Sequence, residues 1–238
     1  MAYCILIRHG RSTANTQGVL AGWAQGVALD ETGAEQASAL VARLQGTPLV
    51  HLVTSPLQRC RETAAPLLDA HGLTPQVHDG IGECRYGAWT GRPLKELVDE
   101  PMWRTVQDRP SEAVFPDGDE FPGESITAMS ARAVAAIREI DALVTEQHGK
   151  HAVWAAVSHG DVIKAILADA VGTPLDDFQR LHVDPASVSV VHYSDTRPMV
   201  LRTNDTGTSA LRPPKPDKDA PPAGDAAVGG GAGLGSTS

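Results

Sequence analysis

Ala2-Tyr3-Cys4-Ile5-Leu6-Ile7-Arg8-His9-Gly10 opens the chain, and His151-Ala152-Val153-Trp154-Ala155-Ala156-Val157-Ser158-His159-Gly160 repeats its plan near the other end. Each stretch is a short, almost continuous apolar run that finishes in a polar residue, a histidine and a glycine. A run of this length reads as a strand, and the second, apolar throughout, as one buried on both faces. In an open α/β sheet, ligands bind outside the carboxyl ends of the strands, so two histidines at two such ends can meet over one crevice. The glycine after each histidine lets the chain turn sharply and lets a ligand approach the backbone.

Working outward, strands alternate with helices. Glu31–Leu44 places Ala34, Ala37, Leu40, Val41 and Leu44 on one helical face. Leu49–Thr54 is a second strand, followed by Ser55-Pro56-Leu57-Gln58, which reads as a capping box for a helix reaching about Ala70. A short strand follows near Gln76–His78. Residues 80–122 are irregular, with short helices expected at Pro93–Val98 and Met102–Val106. Gly123 to Gln147 is a long amphipathic helix, Asp161–Val171 another, and Ser187–Tyr193 and Pro198–Arg202 are two closing antiparallel strands. The expected fold is α/β: three layers, α/β/α, around a mostly parallel central sheet of about six strands.

The chain has 238 residues, of which 42% are hydrophobic, enough for one well-buried core without disulfide or metal support. Residues 1–203 form the expected folded domain. From Arg212 onward come Pro213, Pro214, Pro216, Pro221, Pro222 and then Gly229, Gly230, Gly231, Gly233 and Gly235, so 204–238 reads as a disordered Pro/Gly-rich tail. Twenty basic against 29 acidic residues leave a formal charge of −9, which argues against nucleic acid or an anionic membrane as partner. Cys4, Cys60 and Cys84 are an odd, widely spaced set, neither a disulfide framework nor a metal knuckle. With no apolar run near about 20 residues and no secretory signal at Met1–Leu6, a cytoplasmic protein is expected.

Arginines attend the two histidines. Arg8 precedes His9, and Arg59 lies just after the second strand, at another carboxyl end. Their forked donors match phosphate or carboxylate oxygens, and Ser12 and Asn15 can add neutral donors. The result is a small cationic cup on an acidic protein. A metal site is disfavoured by the adjacent arginines and by the absence of HExxH spacing. A cysteine phosphatase needs Arg six residues after Cys, but Gly10, Pro66 and Thr90 stand there. Gly149-Lys150 is followed by His151, so there is no Walker A loop, and no GxSxG elbow occurs. Histidine as nucleophile remains.

Leu6-Ile7-Arg8-His9-Gly10-Arg11-Ser12-Thr13-Ala14-Asn15 resembles the signature of the histidine phosphatase superfamily, in its phosphoglycerate-mutase-like branch. Ser55-Pro56-Leu57-Gln58-Arg59-Cys60-Arg61-Glu62-Thr63-Ala64, Glu83-Cys84-Arg85-Tyr86-Gly87-Ala88-Trp89-Thr90-Gly91, Phe121-Pro122-Gly123-Glu124-Ser125 and Ser158-His159-Gly160 resemble its further motifs, in the expected order. The whole is similar to a group of actinobacterial phosphomutases and acid phosphatases. The resemblance implies a phosphoglycerate-mutase-like fold, a phosphohistidine formed at His9, and Arg8, Arg59 and His159 around the phosphoryl group. Asn15 and Ser12 would assist, Asn15 more than Ser12, which can equally cap a turn. Glu83 matches the general acid. Asp161 reads instead as the partner of Ser158 in a capping box, Cys60 and Arg61 as pointing away from the site, and the tryptophans as packing.

Phosphatase and mutase share that first step and differ in the acceptor. The expected cover, residues 93–122, has Lys95, Arg104 and Arg109 against Glu96, Asp99, Glu100, Asp108, Glu112, Asp117, Asp119 and Glu120, a poor balance for a bisphosphate. The reading is therefore a metal-independent phosphomonoesterase, without a cofactor, acting on a small phosphorylated metabolite. The alternatives are a phosphoglycerate-type phosphomutase and a noncatalytic phosphate-binding module.

Overall fold

The computed structural model describes residues 1–207 and 228–231. Six strands, β1 (Tyr3–Arg8), β2 (Leu49–Thr54), β3 (Gln76–Val77), β4 (Val153–Ser158), β5 (Val188–Tyr193) and β6 (Pro198–Asp205), form one sheet in the order β3-β2-β4-β1-β5-β6. The pairs β2–β3, β2–β4 and β1–β4 are parallel, while β5 runs antiparallel to both β1 and β6. The helices are α1 (Thr13–Thr16), α2 (Glu31–Arg43), α3 (Gln58–His71), α4 (Leu94–Leu97), α5 (Trp103–Asp108), α6 (Ile126–His148) and α7 (Gly160–Val171).

The period-2 alternation of a strand sorts the apolar runs between two cores. Cys4, Leu6, Trp154, Ala156 and Val191 face one side, with Met129, Ala133 and Ile137 of α6 and Ile163, Ile166 and Leu167 of α7. Ile5, Ile7, Ala155, Val157 and Val188 face the other, with Leu40 of α2 and Cys60, Ala64 and Leu67 of α3. This is the three-layer architecture with a mostly parallel six-stranded sheet. Leu6 and Ile7 are fully buried, so each contributes about 2 kcal/mol of transfer free energy.

Local signals set the helix ends. Asp30 caps α2 by accepting from the Gly33 amide at 2.8 Å, and Ser125 caps α6 by accepting from Ala128 at 3.0 Å. Two expected capping boxes are not formed. Leu57 stands at the N-cap of α3 and His159 at that of α7, neither with a side-chain cap. Ser55, Ser158 and Asp161 turn instead to groups the fold brings in, His159, the Ile81 carbonyl and Tyr86, although Ser55 Oγ still accepts from the Leu57 amide at 3.3 Å and Asp161 pairs with Lys164.

The sheet also continues past Arg202, since β6 runs to Asp205. Within the stretch expected as a solvated tail, Val228–Gly230 forms a short turn, and Val228 is buried in the α6/α7 core. Backbone contacts with the site, described below, hold it there. The other residues of the expected tail, 208–227 and 232–238, lie outside the described residues.

Candidate active site

Three parallel strands end side by side at one edge of the sheet. Arg8 of β1 pairs in register with Ser158 of β4, so His9 and His159 follow at adjacent positions. The His9 amide donates to the Ser158 carbonyl at 2.9 Å, and the Ser55 amide, beyond β2, donates to the Val157 carbonyl at 2.9 Å. The first turn of α3 then brings Arg59 over both histidines. Gly10 is required by close packing: a Cβ there would lie 2.6 Å from the Gly33 carbonyl oxygen.

The hydrogen bonds fix the tautomers. His9 Nδ1 lies 2.7 Å from the Gly10 carbonyl oxygen, which only accepts, so Nδ1 carries the proton. Nε2 keeps its lone pair and receives Arg59 Nε–H at 3.3 Å. His159 Nε2 is 2.7 Å from Ser55 Oγ, while Arg59 Nη2 donates to His159 Nδ1 at 3.2 Å. The two imidazoles meet edge to face, 5.2 Å between centroids. Glu83 completes the group: Oε2 is 3.7 Å from His159 Nδ1, and Oε1 accepts from the Cys84 amide at 2.9 Å.

Every one of these side chains is buried, and burial governs their charge. Desolvation, reinforced by the Arg59 and Arg8 cations, holds His9 well below the usual imidazole range. His159 is lowered in the same way, by burial first and then by Arg59. Arg8 falls to about 10, chiefly through burial. Glu83 moves the other way: burial, then the Asp161 carboxylate, push it up to about 7 against the pull of Arg59. The site therefore holds two neutral histidines, guanidinium groups and a carboxyl that exchanges its proton near neutrality.

The sequence-predicted residues separate into those that converge and those that stand aside. His9, Ser12, Asn15, Arg59 and Glu83 line one cavity. His159 lies behind Arg59. Ser12 is the N-cap of α1, accepting from the Asn15 amide and donating to Asn15 Oδ1, so its hydroxyl is used locally. Arg8 turns toward the backbone: Nη1 donates to the Val183 carbonyl at 2.8 Å, and Nη2 to the carbonyls of Gly229 and Gly231. Val228, Gly229 and Gly231 form one wall of the cavity. With this segment seated the enclosed space is about 20 Å³, room for one water molecule.

Sequence reasoning passed over several residues of the site. Ser55 holds His159. The Cys60 thiol, expected to point away, lies 3.4 Å from His159 Nε2. Asp161 accepts from Tyr86 Oη and from the Gly229 amide, each at 2.9 Å, and pairs with Lys164. Trp23 Nε1 donates to the Glu83 carbonyl at 2.6 Å while its ring carries the Arg85 guanidinium at 4.4 Å. The signal available for Ser55 was its place at a strand's carboxyl end, the same signal that marked the histidines.

Among the described residues no cluster of three or more His, Cys, Asp or Glu is placed to hold a metal ion, and no helix is long and apolar enough to cross a membrane. Two expected cover cations are paired within their own turns, Arg104 with Asp108 at 2.6 Å and Arg109 with Glu112 at 3.3 Å.

Residues 4–206 match the histidine phosphatase superfamily (branch 1). The chain is 31% identical to phosphoserine phosphatase 1 of Hydrogenobacter thermophilus over 87% of its own length and 93% of that protein's. It is 29% identical to a probable phosphoglycerate mutase of Yersinia pestis, over 82% and 87% of the two chains. In fold it is similar to Bacillus stearothermophilus YhfR (TM-score 0.75, 24% identity, 86% and 98% covered). The same holds for a mycobacterial glucosyl-3-phosphoglycerate phosphatase bound to vanadate (TM-score 0.72, 24% identity, 85% and 99% covered). A motif set in family order, two histidines facing across neighbouring strand ends and a match spanning nearly the whole described chain lead to one assignment: this chain belongs to the histidine phosphatase superfamily, branch 1.

Proposed function

We propose that the chain is a phosphomonoesterase that works through a phosphohistidine at His9, on a small phosphorylated metabolite and without a metal. The observation that carries the reading is the meeting of an unprotonated His9 Nε2 with the Arg59 fork, beside a carboxyl that titrates near 7. Nε2 attacks phosphorus as the ester P–O bond breaks, and Glu83 gives its proton to the leaving oxygen. Water then attacks the phosphohistidine, Glu83 takes back a proton, the P–N bond breaks and phosphate leaves. Arg59, with Arg8 once it exchanges the Gly229 and Gly231 carbonyls for phosphoryl oxygens, offsets the charge on the transferring group. His159 supports Arg59 and faces Glu83, and the Asn15 side-chain Nδ2 supplies a neutral donor.

Water as acceptor is favoured over a second sugar acid because none of Lys95, Arg104 and Arg109 is among the residues that line the cavity. The test is phosphate release from a panel of phosphorylated metabolites, with His9→Ala as control and alkaline quenching to trap labelled phosphoprotein. Release that needs His9, with label on the wild type alone, is the expected result. Release by His9→Ala removes the nucleophile assignment. Binding without release identifies a noncatalytic module, and interconversion of 2- and 3-phosphoglycerate with a bisphosphate primer identifies a mutase.

A further inference from the structure

The loop that carries Glu83 is held from behind by a pair of residues to which the reaction above gives no role. Arg132 projects from α6 and makes five hydrogen bonds. Nη1 donates to the carbonyls of Gly80 and Gly82, both at 2.9 Å, and Nη2 to the carbonyl of Glu83 itself at 2.8 Å. Nε and Nη2 form a two-pronged pair with the Glu124 carboxylate, at 3.0 and 2.5 Å. Glu124 Oε1 in turn accepts from the Arg85 amide at 2.8 Å, and the Glu124 amide donates to the Arg85 carbonyl at 2.9 Å. The backbone is thus gripped on both sides of Glu83, at 80, 82 and 83 by the guanidinium and at 85 by the carboxylate.

The grip is tight and directional. A Cβ at Gly80 would meet Ala136 Cβ of α6 at 2.7 Å, and one at Gly82 would meet the Trp23 ring at 2.5 Å, so the loop lies flat against both. The Arg132 side chain keeps 24% of its exposure and that of Glu124 11%, which makes their fork a partly desolvated, charge-assisted contact. Only a planar guanidinium reaches three carbonyls and a carboxylate at once; a lysine ammonium offers a point charge without the fork.

We infer that Arg132, braced by Glu124, is a positioning residue for proton donation: it fixes the Glu83 backbone so that the carboxyl meets the leaving oxygen. This rests on the reading of Glu83 as the acid. A proton donor placed loosely loses rate where the leaving group needs the proton and little where it does not. General acid catalysis contributes about 10²–10⁴-fold, and loss of placement forfeits part of it. The clamp touches no substrate atom, so binding is left alone.

The test compares two substrates, an alkyl phosphate with a strongly basic leaving oxygen and p-nitrophenyl phosphate with a weakly basic one. Wild type, Glu83→Gln, Arg132→Met, Arg132→Lys and Glu124→Gln are measured, with thermal unfolding followed in parallel. Expected for Arg132→Met is a loss in kcat/KM, which covers only the steps up to departure of the alcohol and not the shared hydrolysis of the phosphohistidine, of about 30-fold or more on the alkyl ester and below about threefold on the aryl ester. Arg132→Lys and Glu124→Gln should fall between it and wild type, and they keep the test available if Arg132→Met does not fold. Equal losses on the two esters in the folded variants, or none, overturn the inference while a selective loss in Glu83→Gln leaves the acid assignment standing. Equal losses in Glu83→Gln itself overturn that assignment and this inference together.

Discussion

Replacing Glu83 by Gln should make the protein inactive on alkyl esters and, at the same time, more stable. Glu83 is buried, and its carboxyl is pushed from an ordinary 4.5 up to about 7, by burial first and the Asp161 charge second. Between those two pH values the native state keeps a proton that the unfolded chain has released. Its contribution to stability is whole below pH 4.5 and is lost as pH rises through about 7. The full swing is about 3 kcal/mol, from about 1.4 kcal/mol per pH unit over the interval. Gln is close in shape, keeps an oxygen for the Cys84 amide and carries no proton to lose. Urea unfolding of both proteins across this range isolates the contribution, because other titrating groups cancel in the difference. The stability of Glu83→Gln relative to wild type should climb by about 3 kcal/mol between pH 4.5 and about pH 8. A difference that stays flat, or falls, would refute the claim that Glu83 is a carboxyl held protonated by its surroundings. The expected climb would show stability given up for chemistry at the Glu83 carboxyl.

Three more outcomes are expected. Asp161→Asn removes the like charge that helps keep Glu83 protonated, so the alkaline limb of the alkyl-phosphate pH–rate profile should move to lower pH; an unmoved or raised limb contradicts the pairing. Ser55→Ala leaves the His159 Nε2–H with only the weak Cys60 sulfur as partner and should cost about 1 kcal/mol in chemical denaturation, whereas a change within error would mean the hydrogen bond holds nothing. Ending the chain after Gly207 withdraws the Gly229 and Gly231 carbonyls from Arg8 and opens a space that is otherwise about one water in size. Inorganic phosphate should then inhibit roughly tenfold more tightly, the equivalent of about 1.4 kcal/mol, and an unchanged inhibition constant would show that the segment does not compete for the cup.

The sheet was legible because its two central strands, β1 and β4, are almost continuous apolar runs too short for a buried helix. His9, His159 and Arg59 were legible for a related reason: strand ends converge at one edge, and the residues just past them share a place. The misreadings arose where a local pattern had a distant competitor. Ser55 and Ser158 sit at helix starts with capping spacing, yet Ser55 meets an imidazole 104 positions away and Ser158 Oγ donates to the Ile81 carbonyl at 2.7 Å. Spacing rules see only a few neighbours along the chain and cannot weigh a buried partner that arrives through the fold. Val228–Gly231 failed differently. Composition was judged by side chains, and glycines have none to offer, but a cationic cup can be filled by main-chain oxygens, which composition does not count.

The position of β1 between β4 and β5 also has a consequence for the making of the protein. The neighbours of the first strand, β4 and β5, are encoded about 150 and 185 residues after it. At about 5–20 residues per second of synthesis, β1 leaves the ribosome roughly 8–30 s before anything exists to pair with it. Until then a stretch of buried-strand sequence waits with both edges open, a template for pairing with other chains. No nascent or truncated product that stops short of β4 can bring His9 and His159 together. Enzymatic activity in this chain therefore doubles as a report that synthesis has passed His159 and the strands that flank β1.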